Sequence, residues 1–483
     1  MSQGKTGVPP QRRQTELVAS QRVSQQPVHR PPGFVPRAAA VRVVAEVVYQ
    51  RRALDDALDR AFSLDIYRGM EQRDRAFSRL IVVTVLRRYG ELDAVVRSFI
   101  DKPLPENQGL LWPILLCATA QLLCLDTPPH AAISLAVEQT RADGGARRFD
   151  KLVNAVLRKV SVQGAAKLAT LDGPRLNTPD WAWKRWVEAY GESQAHAIAA
   201  ANLTEAALDI SVKSDPAGWA ERLAAGSAGQ FADGSAEHFK AVVLPTGSVR
   251  VKNRGRIEDM PGYSEGAWWV QDAAAGLPGR LLGNVTGQAI ADLCAAPGGK
   301  TAELIVAGAN VTAVDVSASR MSRLAENLAR LQLTADLVTA DVTVWAPDRL
   351  FDAVLLDAPC TASGTIRRHP DILRLKRATD PAQLAALQAK LLTAASKLVR
   401  PGGLLVYCSC SLEPEEGSQQ AAQFLSANPN FTREPVRADE IGGLAEAISV
   451  DGDLRTLPTH LKMDDPEMSG LDGFYAARFR RAQ

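Results

Sequence analysis

With 483 residues the chain has material for about three domains and a sizeable core. Apolar residues at 46% and charged residues at 23% lie within ordinary globular usage, which excludes a wholly disordered chain, a collagen and a fibrous coiled coil. Lys and Arg total 56 against 54 Asp and Glu, a net charge of +2, so bulk charge names no anionic partner and any nucleic-acid case rests on local patches.

Residues 1–37 are rich in Gln, Arg, Pro and Ser and poor in large apolar groups, which predicts a flexible basic tail with cations at Arg12, Arg13, Arg22, Arg30 and Arg37. No signal-peptide hydrophobic region opens the chain, so a cytoplasmic location is expected. From 38 to 165, apolar residues recur at helical spacing: Val41, Val44, Ala45 and Val48, then Phe77, Leu80, Ile81 and Val85, then Leu152, Val156 and Leu157. Breaks at Pro103, Pro105, Pro128-Pro129 and Asp143-Gly144-Gly145 separate the helices of an all-helical domain. The most apolar run, Leu110 to Leu125, is shorter than the roughly 18 residues a membrane span needs and contains Pro113, Thr119 and Gln121. It reads as a core helix, and no membrane partner is expected.

Between 166 and 261, Trp181, Trp183 and Trp186 precede the alternating segments Leu208 to Lys213 and Ala241 to Pro245, which predicts a small α+β linker domain. From 262 to 483, short apolar strands alternate with helical patterns. Strands are expected at Ile290 to Leu293, Val311 to Val316, Leu337 to Ala340, Ala353 to Leu356 and Leu404 to Tyr407, with helices at Ser319 to Leu331 and Leu384 to Val399. That alternation predicts a parallel, doubly wound sheet, whose ligands sit beyond the carboxyl ends of the strands.

The first of those strands runs into Cys294-Ala295-Ala296-Pro297-Gly298-Gly299-Lys300-Thr301. A phosphate-binding loop would need glycine where Cys294 stands, so the turn suits close backbone approach to a nucleotide-like ligand without a triphosphate. Lys300 is placed to pair with a carboxylate. Asp315 at the end of the second strand suits ribose hydroxyls, and Asp341 at the end of the third either meets an adenine amino group or caps its turn. Together they point to an adenosine-containing cofactor.

The six cysteines (Cys117, Cys124, Cys294, Cys360, Cys408 and Cys410) are too sparse for a disulfide scaffold, and without any C-x-x-C pair they predict no metal site. Any one alone reads as a buried, inert thiol. Cys360 and Cys410, however, follow neighbouring candidate strands beside the inferred pocket, with Asp357 three residues before Cys360. Cys294 and Cys408 read as packing residues. Such a set suits methylation of cytosine carbon 5: a thiolate adds to carbon 6 and converts the ring to an enamine. A carboxyl such as Asp357, raised in pKa by burial, supplies a proton near ring nitrogen 3, and a second thiol assists release. The basic run Arg367, Arg368, His369, Arg374, Lys376 and Arg377 follows Cys360, and of these Arg367 and Arg368 are expected to meet RNA phosphates beside a flipped base.

The segments DLCAAPGGKT, DAPCTASGTIRRHPDI and YCSCSLEPEEG, in that order, resemble the motifs of S-adenosylmethionine-dependent RNA cytosine-5 methyltransferases. With RDRAFSRLIVVTVLRRYGELDAVV and KLVNAVLRKV resembling a NusB-like RNA-binding domain, the chain from about residue 38 is similar to the bacterial Sun/Fmu, or RsmB-type, ribosomal-RNA methyltransferases. The resemblance implies a Rossmann-like α/β methyltransferase domain, preceded by the helical and linker domains and acting as a monomer on small-subunit ribosomal RNA. It further implies Cys410 as nucleophile, Cys360 as the release-assisting thiol, and Cys294 to Lys300 with Asp315, Asp341 and Asp357 as S-adenosylmethionine contacts. Relatives carry a small non-thiol residue where this chain has Cys408. The rival readings are a transfer-RNA substrate, or a non-catalytic RNA-binding factor that uses the helical domain.

Overall fold

The computed structural model describes residues 30–225, 240–252 and 255–483, so most of the expected tail lies outside the described residues. Two units emerge. Unit 1 contains the helical N-terminal part to Pro179 together with His369–Leu375, and unit 2 contains Asp180–Arg368 and Lys376–Gln483.

Unit 1 is built from helices Phe34–Gln50, Leu54–Ser63, Gln72–Arg87, Tyr89–Arg97, Leu111–Cys124, Pro129–Ala142 and Asp150–Leu168, with short turns of helix between them. The first helix begins at Phe34, inside the stretch expected as tail. Arg37 is part of it, donating to Gln121 Oε1 at 2.6 Å. Helix Leu111–Cys124 is apolar nearly all round, and it is buried nearly all round, as the absence of a polar face requires. Val41, Val44, Ala45, Ile81, Val85, Val156 and Leu157 fill the core. Leu80 does not: it is 46% exposed, one position off the buried stripe of its helix. No described helix is long and apolar enough to cross a membrane.

The short piece of chain at 369–375 belongs to this unit through specific bonds. Asp371 Oδ2 accepts from Leu54 N at 2.9 Å, Arg374 donates to Asn177 O at 3.1 Å and stacks 4.8 Å from the Tyr89 ring, and Leu375 packs against the helical core.

Unit 2 holds two sheets. The smaller is antiparallel: β1 (Leu208–Val212), β2 (Ala241–Val243), β3 (Val249–Val251) and β4 (Trp268–Val270), in the order β2-β3-β1-β4. The larger contains β5 (Ala289–Leu293), β6 (Asn310–Asp315), β7 (Asp336–Thr339), β8 (Phe351–Asp357), β9 (Val399–Ser409), β10 (Phe431–Arg433), β11 (Leu454–Arg455) and β12 (Tyr475–Arg481). Its order is β10-β12-β9-β8-β5-β6-β7, with β11 pairing β12. The strands from β7 to β9 are parallel, while β12, β10 and β11 pair antiparallel, so the expected parallel sheet is closed by an antiparallel edge. From β5 the chain winds first toward β6 and β7, then crosses to β8 on the other side. The resulting crevice between β5 and β8 is where ligands of such sheets bind. The strands are apolar runs rather than alternating ones because helices such as Gly299–Val306, Ala318–Arg330 and Asp380–Leu398 accompany them.

Candidate active site

Apart from Arg367 and Arg368, the candidate residues lie at the carboxyl ends of strands or in the turns and helix start that follow them. After β5 the chain turns sharply: Cys294 takes a left-handed conformation (φ 60°) and Gly298 another (φ 101°) before helix Gly299–Val306 starts. At Gly298 a side chain would be strained by its dihedral and would also meet Leu324 Cγ at 2.9 Å, so glycine is required there. Cys294 is half-buried, and burial with the nearby Asp357, Asp315 and Asp292 carboxylates pushes its thiol up to about 12. Ala295, Ala296 and Gly298 are buried, Gly299 is half-buried and Pro297 is exposed.

Asp315, at the end of β6, accepts from Ala296 N at 3.3 Å and Ser317 N at 3.0 Å and pairs with Arg320 at 3.3 Å. It therefore links the β5 turn to the next helix. Asp341 follows β7 and caps its own turn, accepting from Thr343 N at 2.8 Å and Thr343 Oγ1 at 2.7 Å, while remaining exposed. Sequence reading passed over Asp292 in β5. It is fully buried, accepts from Thr301 Oγ1 at 2.6 Å, and leaves Oδ1 with no hydrogen-bond partner. Burial, joined by the charge of Asp357, pushes it up to about 7. Its trace in the sequence is an acid inside an otherwise apolar strand.

The centre is Asp357, the last residue of β8. Lys300 Nζ lies 2.8 Å from its Oδ2, and the Cys408 thiol donates to Oδ1 at 3.5 Å. Burial disfavours the Lys300 ammonium, but the facing Asp357 carboxylate outweighs it and holds Lys300 above its ordinary value; the Phe474 ring lies 4.9 Å away. Asp357 thus faces a cation with its side chain 30% exposed, not the apolar burial anticipated for it. Cys408 is fully buried, as a packing residue would be, yet its sulfur meets the carboxylate.

Cys360 follows β8 and Cys410 follows β9, and register pairing of Asp357 with Cys408 brings the two loops side by side. Their sulfurs are 3.3 Å apart, and both residues are half-buried. The hydrogen bond with Cys360, then burial, raises the Cys410 thiol well above its usual value. Behind the sulfurs, Gly364 N donates to Cys410 O at 3.0 Å. Glu413, fully buried beyond Cys410, faces Trp186 Nε1 at 3.3 Å, and Tyr190 donates to Leu412 O at 2.5 Å. The tryptophan-rich helix Asp180–Tyr190 therefore braces the Cys410 loop through Trp186, which is fully buried.

Arg367 and Arg368 correct the expectation placed on them. Arg367 is 2% exposed and donates to Ser469 O at 2.7 Å and Leu471 O at 3.3 Å. Arg368 pairs with Asp272, with Asp472 at 3.1 Å and with Ala207 O at 2.9 Å. The acids that neutralise Arg368 come from segments far away in sequence, so the two arginines looked free for phosphate when both were already bonded.

The family model for the 16S rRNA methyltransferase RsmB/F matches residues 280–480, and that of the NusB family matches residues 35–162. Ribosomal RNA small subunit methyltransferase B of Vibrio cholerae is 36% identical over 403 residues, 82% of this chain and 90% of that protein. Its namesake from Xanthomonas campestris is 35% identical over 417 residues, 84% of this chain and 91% of that one. A crystal structure of PH0851 matches 94% of this chain and 100% of its own with a TM-score of 0.70 at 21% identity, a likeness of fold.

Proposed function

This chain belongs to the ribosomal RNA small subunit methyltransferase B family, and from that premise we propose that it methylates carbon 5 of a cytidine in small-subunit ribosomal RNA through a covalent cysteine adduct. The observation that carries the chemistry is the 3.3 Å approach of Cys360 and Cys410 beside Asp357. A single thiol would serve many reactions; two thiols and a carboxylate at the carboxyl ends of neighbouring strands suit addition to a pyrimidine followed by release.

S-adenosylmethionine fits the donor set on the other side of Asp357: the Cys294 to Lys300 turn and the carboxylates of Asp315 and Asp341 would hold it, and it would supply an electrophilic methyl group. Cys410, as thiolate, forms a bond to carbon 6, and the ring electron pair moves toward carbon 5. Asp357, steadied by Lys300 and Cys408, lends nitrogen 3 a proton as the sulfur adds and takes it back as the sulfur leaves. Once carbon 5 is methylated, Cys360 as thiolate takes the carbon 5 proton, that electron pair re-forms the carbon 5–carbon 6 double bond, and the carbon 6–sulfur bond breaks so that Cys410 leaves as thiolate. The helical part (38–165) serves RNA binding and the part at 166–261 connects it to the catalytic part (262–483). The reading places a monomer in the cytoplasm.

Bisulfite mapping of ribosomal RNA with and without the protein tests the reading. One cytidine of the small subunit gains protection only with the intact chain, and Cys410→Ala abolishes it. Undiminished methylation by that variant would refute the assignment.

A further inference from the structure

Behind the two sulfurs lies a carboxylate that the chemistry above does not use. Glu416, at the end of the short turn Pro414–Glu416, is fully buried. Thr361 N donates to both of its oxygens, at 3.0 and 3.2 Å, and the Thr361 hydroxyl donates as well. Ser411 Oγ donates at 2.6 Å and Gln388 Nε2 at 3.0 Å. Thr361 is the residue after Cys360, and Ser411 is the residue after Cys410. Gln388 also donates to Pro359 O at 2.9 Å, so the Cys360 loop is tied on both sides of its cysteine.

A buried carboxylate is costly unless donors surround it, and here the donors come from both reactive loops. An apolar residue would fill the space without joining them. We propose that Glu416 is a positioning residue that clamps the loop after Cys360 to the loop after Cys410 and thereby sets the separation of the two sulfurs. The effect on turnover rests on the cytosine-5 reading; the effect on the sulfurs does not.

The test reads the sulfurs in the free, full-length protein. Diamide takes two electrons and two protons from a thiol pair to leave a disulfide, and peptide mapping identifies the Cys360–Cys410 product. Glu416→Gln places an amide donor against the Thr361 and Ser411 donors, and closure is expected to slow about tenfold or more, as misplacement by a fraction of an ångström does for aligned groups. In turnover the same variant lowers kcat with KM for RNA unchanged, and the protein–RNA adduct persists. Leu86→Ala, a core change in the helical unit, controls for stability alone and keeps the wild-type closure rate. Wild-type closure in folded Glu416→Gln overturns the proposal. Should that variant fail to fold, Ser411→Ala and Thr361→Val each remove one arm of the clamp; slowed closure in either supports it and wild-type closure in both overturns it. Slowed closure in a protein whose wild type never methylates cytosine leaves the clamp standing and removes the reading of the reaction instead.

Discussion

A thiol attacks only after losing its proton, and at Cys410 that loss is made harder by the hydrogen bond to Cys360 and by burial. If Cys410 attacks from the free enzyme, kcat/KM should climb with pH from 6 to 9, about tenfold per unit, because the thiolate fraction grows that way below a raised pKa. A plateau near pH 7 in a pH–rate profile would contradict it. Cys360→Ala should still allow attack and accumulate a denaturation-resistant protein–RNA adduct on gels; finding none removes its release role. Cys408→Ala strips one donor from Asp357 and should lower kcat severalfold while leaving the adduct able to form, since one weak hydrogen bond contributes about 0.5–1.5 kcal/mol. That Cys360 and Cys410 come together was legible in the sequence because each follows a strand pattern and sits within a distinctive short motif. Arg367 and Arg368 were misread because Asp272 and Asp472, which make that corner of the fold self-neutralising, are about a hundred residues away in the chain.

Whole strands were easier to read than single contacts. The apolar runs of β5, β6, β8 and β9 announce themselves, whereas β12 carries arginines at Arg478, Arg480 and Arg481 and pairs antiparallel, so nothing in its pattern names its partner. Arg478 is buried because Glu440 meets it at 2.8 Å, a pairing that only the tertiary fold supplies. Two glycines fix how closely the loop after β8 approaches the segment leading into β12: a Cβ on Gly364 would stand 1.8 Å from Gly473 O. Gly364→Ala should therefore destabilise unit 2 by about 1–3 kcal/mol in denaturant titration and displace the Cys360 loop as well. Asp292 gives β5 a pH signature. Its folded-state pKa of about 7 lies above its unfolded value, so native protein binds the extra proton and stability is lost as pH rises toward 7. Asp292→Asn should gain on wild type between pH 5 and 8 in thermal melts; a constant difference would mean that this carboxyl does not titrate there.

At the scale of the molecule, the helical architecture and the wound sheet were both foreseen, but their interruption was not. No propensity or spacing distinguishes residues 369–375 from the loop around them, and their allegiance shows only in their partners: Leu54, Asn177 and Tyr89. Expressing residues 180–483 alone should thus give a poorly soluble product in which Leu375 has lost its packing and Asp371 its amide, and co-expressing residues 1–179 should restore solubility. Equal yields with and without the helical half would argue against that dependence. The catalytic half is in this sense not a detachable cassette. A deletion or duplication within that stretch has to be reconciled with two folding units at once, so the gene cannot be shuffled at the point where its domain order suggests a seam.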